Sequence, residues 1–362
     1  MKRRIFFAGG GTAGHVEPAL AVADEIVKLP GQWECIFLGT ESGIESKLVP
    51  ERGYQLQTIP KVSLPRKISV ASLLFPIKFI HAIRQTRRTI AQADAVIGFG
   101  GYISAAAYLA ARTKSIPILV HEANAKPGWA NRLGRRFADV VAVNFPKVKL
   151  IWPESILTGI PIRPGIAELA VSGDMKRNER AIRLGLDSNR PILAVFGGSQ
   201  GSSRINAAIS EYLHNPSVTG VQIIHAIGPN NPLPEARSDY LPMPYFEDMP
   251  TIYALADYLI TRSGAVTCAE LLTVGKFAIL VPLPHGNGEQ MENASELVDS
   301  GNAVLVSDEE FDGNWLRQNL PRILGTKHNQ LSTTRRNINA ATEIARLTSE
   351  LLQNRGEKTN DK

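Results

Sequence analysis

Hydrophobic residues in this chain come in short unbroken runs, separated by longer stretches with helical spacing. In the first half the runs are "RIFFA", "WECIFL", "AVIGF", "PILVH" and "DVVAV". In the second they are "PILAVF", "VQIIHA", "DYLIT", "FAILV" and "NAVLV". Several lack the polar alternation of a half-exposed strand, which predicts parallel strands buried on both faces. The helical stretches between them predict βαβ units. Both halves open on strand, glycine-rich turn and helix, as "IFFAGGGTAGHVEPALAVADEIV" and "ILAVFGGSQGSSRINAAISEYL". The expected architecture is α/β: two Rossmann-like domains with parallel sheets facing a central cleft. Prolines and glycines in "TGIPIRPGIAEL" punctuate the chain before a polar stretch, predicting domains 1–162 and 163–335. Ile338, Ile344, Leu347 and Leu351 predict a terminal helix over about 336–354 that packs back on one of them.

Bulk properties narrow the function. At 362 residues, with 44% hydrophobic and 20% charged residues, two ordinary globular domains fit. The two cysteines, Cys35 and Cys268, form neither a disulfide framework nor a metal spacing, and suit a reducing compartment. The apolar run after "MKRR" is too short for a signal sequence and reads as a first strand. The uncharged run Ala95 to Ala111 is 17 residues and is broken by "GFGGYIS", so no transmembrane helix is expected. A net charge of +6 favours an anionic partner. With no nucleic-acid-binding motif and 7% aromatic residues, nucleic acid is not expected as that partner.

The turn Gly9-Gly10-Gly11-Thr12-Ala13-Gly14 formally matches GxGxxG after a strand, a dinucleotide-binding pattern. Two details count against that reading. His15 follows the turn, and no acidic residue stands clearly where a ribose ligand belongs; Glu41 lies late. The second turn, Gly197-Gly198-Ser199-Gln200-Gly201, lacks the pattern but offers amides and a hydroxyl to a phosphate.

Seven motifs in register carry a resemblance: "GGGTAGHVEPALAVA", "GFGGYISAAAYLAAR", "HEANAKPGWANR", "TGIPIRP", "VFGGSQGSSRIN", "RSGAVTCAELLTVGKFAILVPLP" and "GNGEQMENA". Together, from residue 5 to about 306, the chain resembles the bacterial UDP-N-acetylglucosamine:lipid-linked N-acetylmuramoyl-pentapeptide transferases. These are two-domain GT-B glycosyltransferases. The resemblance implies inverting transfer of GlcNAc from UDP-GlcNAc to the 4-hydroxyl of undecaprenyl-pyrophosphoryl-MurNAc-pentapeptide. It places the reaction at the cytoplasmic face of the cell membrane, with the enzyme held peripherally. Ala13, Ala123, Ile160 and Glu289 depart from residues common in the family. Related readings are a GT-B enzyme with another lipid acceptor and a UDP-GlcNAc 2-epimerase-like enzyme.

The same resemblance implies a donor site. Ala265, Val266 and Thr267 open a helix toward the UDP pyrophosphate, and Glu270 takes the ribose hydroxyls. Thr267-Cys268-Ala269-Glu270 also reads as a capping box, which would leave Glu270 a purely structural role. Gln290, with Glu289 beside it on a helix over 289–300, is expected to read sugar hydroxyls, since an amide both donates and accepts. Phe246 marks where main chain meets uracil. Arg163, Arg262, Ser199, Gln200, Thr12, Ala13, Gly14 and Asn124 complete the expected contacts.

His15 is the leading candidate base, because imidazole exchanges protons near neutral pH. Glu122 is second. With no Asp-x-Asp clamp and no Cys/His cluster, neither metal nor cofactor is expected. The segment "SLPRKISVASLLFPIKFIHAIRQTRRT" mixes Leu73, Leu74, Phe75, Ile77, Phe79 and Ile80 with Arg66, Lys67, Lys78, Arg84, Arg87 and Arg88. It predicts contact with an anionic membrane surface, where the lipid-linked acceptor lies.

Overall fold

The computed structural model describes residues 2–62, 70–173, 176–284, 287–326 and 335–360. Two compact units divide the chain: Met1–Arg163 with Arg336–Lys362, and Pro164–Arg335.

The first unit carries β1 (Arg3–Ala8), β2 (Trp33–Gly39), β3 (Gln55–Thr58), β4 (Ala95–Gly98), β5 (Ile118–Glu122), β6 (Val140–Val143) and β7 (Ile156–Leu157). They form one sheet in the order β3-β2-β1-β4-β5-β6-β7, every neighbour parallel. Alternate residues of β1 serve opposite faces. Ile5 and Phe7 join the core that includes Val16, Leu20, Ile344 and Leu347. Phe6 and Ala8 join the other, with Ile103 and Tyr108. Burial on both faces is what made the run continuously apolar.

The second unit carries β8 (Ile192–Phe196), β9 (Gln222–Ala226), β10 (Tyr240–Met243), β11 (Tyr258–Thr261), β12 (Phe277–Leu280) and β13 (Ala303–Leu305). Their order is β10-β9-β8-β11-β12-β13, again all parallel. Apart from β7, this is the permutation of the first sheet. Strand order reverses between β1 and β4 and between β8 and β11. Such switch points leave a crevice at the carboxyl ends of the strands, where open α/β sheets bind ligands.

All ten apolar runs form strands. Three strands were not expected: β3, β7 and β10. Each lies at a sheet edge, where half-exposed sequences such as "QLQT" suffice. The helix expected over 289–300 is two pieces, Glu289–Asn293 and Ser295–Asp299. The terminal helix Ala340–Asn360 lies in the first unit, its Ile344, Ala345, Leu347 and Leu351 buried against α1 (Ala13–Ile26) and its neighbours.

Candidate active site

At the first switch point the chain leaves β1 through Gly9–Thr12 and enters α1, with Thr12 at its N-cap. Beside it the chain leaves β4 through Gly100 and enters α4 (Gly101–Arg112). His15 stands on the first turn of α1, half-buried between the two. Its Nδ1 lies 3.2 Å from the Gly10 carbonyl and 3.4 Å from Thr12 Oγ1. A carbonyl only accepts, so Nδ1 carries the proton and Nε2 is left as the acceptor. A Cβ on Gly100 would stand 3.2 Å from Nε2, and the φ of +107° there also selects glycine. The backbone thus comes close to the basic nitrogen without covering it with a side chain.

Below the turn sits a carboxylate that the sequence reading overlooked. Glu45, the first residue of α2 (Glu45–Glu51), is 1% exposed. Its Oε2 accepts from Gly11 N at 2.9 Å, and its Oε1 accepts from Thr40 N and Oγ1, each at 2.9 Å. Of the two acidic residues that follow β2, it is Glu45 and not Glu41 that meets the turn, and it is buried away from any ribose. It bonds into the turn from beneath.

Glu122, at the end of β5, is 1% exposed and accepts four bonds. Asn124 N (2.9 Å) and Nδ2 (3.2 Å) reach Oε1, while Gly128 N (2.9 Å) and Asn131 Nδ2 (3.0 Å) reach Oε2. Burial raises its pKa, and those donors oppose the rise. This geometry makes Glu122 an anchor of the loop 123–131, both of its oxygens already bonded there. Asn124, expected to face a sugar, spends its amide on that carboxylate. His121 is fully buried, with Nε2 donating to Gly159 O at 2.9 Å, and burial lowers its pKa to about 4.

Arg163 pairs with Glu17 of α1 at 3.4 Å. Thr12 is exposed; Ala13 and Gly14 are half-buried in the first turn.

At the second switch point the chain leaves β8 through Gly197–Gly201. Ser199 is half-buried and Gln200 exposed. Ser202 caps the helix Ser203–His214, accepting from Ile205 N. The chain leaves β11 through Arg262-Ser263-Gly264 and enters the helix Ala265–Val274. Gly264 is the N-cap, with no side-chain cap bond. The capping box expected at Thr267–Glu270 is not formed, because the helix starts before Thr267. Amides at the head of a helix lack intrahelical acceptors and present positive charge to an anion. Here they belong to Ala265, Val266 and Thr267. Glu270 is 2% exposed, one turn on, and accepts from Tyr253 Oη at 3.0 Å.

Arg262 was expected to meet phosphate. Its guanidinium instead donates to Val281 O (3.0 Å), Pro282 O (3.2 Å), Asp308 (2.5 Å) and Ser202 Oγ (2.7 Å). It clamps the ends of β11 and β12 to Ser202, just past the glycine turn. Phe246 is 2% exposed and packs edge-on against Phe196, so its side chain belongs to the core. Gln290 Oε1 accepts from Leu283 N at 3.0 Å, and Glu289 Oε2 accepts from Asn287 N at 3.1 Å; both residues are half-exposed.

Known families bear on this frame. Residues 5–143 match the glycosyltransferase family 28 N-terminal domain, and residues 192–349 match its C-terminal domain. The chain belongs to glycosyltransferase family 28. A relative from Frankia casuarinae is 47% identical over 90% of this chain and 88% of its own length. One from Streptomyces coelicolor is 44% identical over 94% of each. Both are named UDP-N-acetylglucosamine--N-acetylmuramyl-(pentapeptide) pyrophosphoryl-undecaprenol N-acetylglucosamine transferase. Among solved structures, Acinetobacter baumannii MurG is 27% identical, with a TM-score of 0.70, covering 97% of this chain and all of that one. The family 28 chain thus has the GT-B fold of two Rossmann-like domains. A putative UDP-N-acetylglucosamine 2-epimerase from Listeria monocytogenes, 13% identical at TM-score 0.67, shares that fold alone.

Among the described residues no group of three His, Cys, Asp or Glu could hold a metal, and no helix is long and apolar enough to cross a membrane.

Proposed function

We propose that this family 28 chain transfers N-acetylglucosamine from UDP-N-acetylglucosamine to undecaprenyl-pyrophosphoryl-MurNAc-pentapeptide, a step of peptidoglycan synthesis. Likeness along nearly the whole chain to transferases of that name carries the reading. The site geometry agrees with it. Amides of Ala265–Thr267 receive the charge that develops on the departing UDP, work a fixed helix terminus does without reorganisation. Glu270 accepts from the ribose hydroxyls, and Gln290 reads the sugar. Ser199 and Gln200 add donors to phosphate.

The muramoyl 4-hydroxyl attacks the anomeric carbon. The new bond forms to that carbon as its bond to the UDP oxygen breaks, and attack opposite the leaving group inverts the centre. The hydroxyl proton passes to His15 Nε2, the nitrogen that the Gly10 carbonyl leaves unprotonated.

α3 (Val70–Thr89) supports a membrane-facing role for the first unit. Ile77 is 67% exposed, Ile80 49% and nearby Trp129 40%. Phe79 bridges Phe75 and Trp129, and Lys78, Arg84, Arg87 and Arg88 are exposed along the same helix. Apolar side chains beside cations fit the anionic cytoplasmic face of the cell membrane, with peripheral attachment. Arg66 and Lys67, and the side chains of Leu73 and Leu74, lie outside the described residues.

The test is incorporation of labelled GlcNAc into the lipid-linked muramoyl-pentapeptide by wild type and His15→Ala. Wild type transfers label. The variant binds UDP-GlcNAc but turns over roughly 10²–10⁴-fold more slowly, the span of general base catalysis. A folded wild type that binds donor and transfers nothing would refute the acceptor assignment. Equal transfer by both would refute His15 as base.

A further inference from the structure

We propose that Glu45 is a positioning residue for the transfer reaction, acting on His15 through the peptide group between Gly10 and Gly11. The inference rests on His15 being the base. The two contacts it joins belong to one amide. Gly11 N–H donates to Glu45 Oε2 at 2.9 Å, and the Gly10 carbonyl of that same peptide accepts from His15 Nδ1 at 3.2 Å. Carboxylate, amide and imidazole form a single chain of donors and acceptors.

Each link has a direction. A carboxylate in this place only accepts, so the amide must point its N–H toward Glu45. The planar peptide then points its carbonyl the other way, toward Nδ1. That carbonyl admits only the Nδ1–H tautomer, which leaves the Nε2 lone pair for the acceptor hydroxyl. When Nε2 takes a proton, the imidazolium charge meets a carbonyl already polarised by the bond at its nitrogen, and bonds in series strengthen one another. A serine-protease aspartate performs both tasks by touching its histidine directly. Here a peptide plane lies between them.

The surroundings are shaped for Glu45. A Cβ on Gly10 would stand 2.8 Å from its Oε1, one on Gly43 2.2 Å from both oxygens, and one on Gly39 2.5 Å from its Cγ. None of these three glycines has positive φ. Their φ values do not require glycine, so close packing selects it: against Glu45 alone at Gly43, and against Glu45 together with Ile103 at Gly10 and Leu56 at Gly39. Thr40 fills the remaining lone pairs of Oε1 from its amide and its hydroxyl. Glutamine in place of Glu45 has one accepting atom for donors on two sides, and its NH₂ must face either Gly11 N–H or Thr40 N–H.

The experiment is long-range ¹H–¹⁵N correlation spectroscopy of the seven histidines in the full chain, with His15 assigned from its loss in His15→Gln. Glu45→Gln is measured beside wild type, together with transfer kinetics. Wild type should show His15 protonated at Nδ1. In Glu45→Gln the population should move to Nε2–H. Its kcat should fall about 10–100-fold, a part of what a general base contributes, while KM for UDP-GlcNAc stays within about twofold. An Nε2–H tautomer in wild type overturns the proposal, and that result does not depend on the variant folding. An unchanged Nδ1–H tautomer in folded Glu45→Gln overturns it as well. Failure of the base assignment looks different: His15→Gln would transfer at the wild-type rate whatever the tautomer shows.

Discussion

The two glycine turns share a frame and differ in what lies beneath them. Each follows the first strand of its sheet, enters a helix and sits at a switch in strand order. Below the first, Glu45 takes the Gly11 amide into an internal bond. Below the second there is a cation: Arg262 reaches Ser202 just past the turn and is neutralised by Asp308. A carboxylate under a glycine turn disfavours a phosphate above it, whereas a guanidinium already paired with a carboxylate leaves little net charge there. The GxGxxG spelling therefore belongs to the turn less suited to a nucleotide diphosphate. Glycine spacing records how closely backbones approach. What the turn binds depends on the charge supporting it.

Substitutions at the glycines test this contrast. The largest effect is expected for Gly201→Ala. Its Cβ would lie 2.0 Å from Ile227 O at a φ of +77°. Overpacking against backbone and left-handed strain together should cost about 4 kcal/mol, read as a lowered denaturation midpoint of the second unit. Acidification comes next and should spare neither unit. Burial lowers the pKa of His121 and of His225 to about 4. Between about 6.5 and 4 the unfolded chain binds protons that the folded chain refuses, so stability falls as pH falls through that window. The loss is on the order of 3 kcal/mol per unit, measurable by urea titration at pH 7 and pH 4.5, where most of it should be seen. Gly10→Ala should cost less stability, about 2 kcal/mol. The nearest obstacles are side-chain ends, Ile103 Cδ1 at 2.5 Å and Glu45 Oε1 at 2.8 Å. Its transfer rate should nevertheless drop tenfold or more, because Glu45 must leave Gly11. Gly11→Ala and Gly198→Ala should be mildest, about 1 kcal/mol each. Both have positive φ, but a Cβ would meet nothing within 4 Å. If Gly198→Ala proved as costly as Gly201→Ala, the split between packed and open glycines would be wrong.

The interior of each sheet was legible because burial on both faces writes an unambiguous apolar run. Edge strands β3, β7 and β10 were not, since one free edge and a polar flank leave the pattern of a loop. The start of the helix Ala265–Val274 was legible from Gly264, but its apparent capping box was not real; a Ser/Thr-x-x-Glu spelling fixes a cap only if the helix begins there. Glu45 was missed for a related reason. "GTESGIESKL" contains Glu41 and Glu45, and the sequence does not say which of them the turn through Gly43 carries under the loop. The internal pairing of Arg262 was not legible because its partner Asp308 lies 46 residues on. A cation looks available until the strand order brings its anion beside it. Glu122 has local partners, and "HEANAKPGWAN" holds the clue: an acidic residue followed by Asn and Gly at short spacing reads equally as a loop anchor.

The helix Ala340–Asn360 carries a consequence for biosynthesis. Its Ile344, Leu347 and Leu351 fill the same core as Ile5, Phe7 and Val16 from the other end of the chain. A ribosome releases those early strands long before it supplies the residues that cover them. All of Pro164–Arg335 emerges in between and contains its own complete core. The later unit can therefore finish folding first, while the first sheet waits with an apolar face uncovered. A chain stopped before Ala340 should keep a folded second unit and expose the first to proteases, because the helix that closes the first core is then missing.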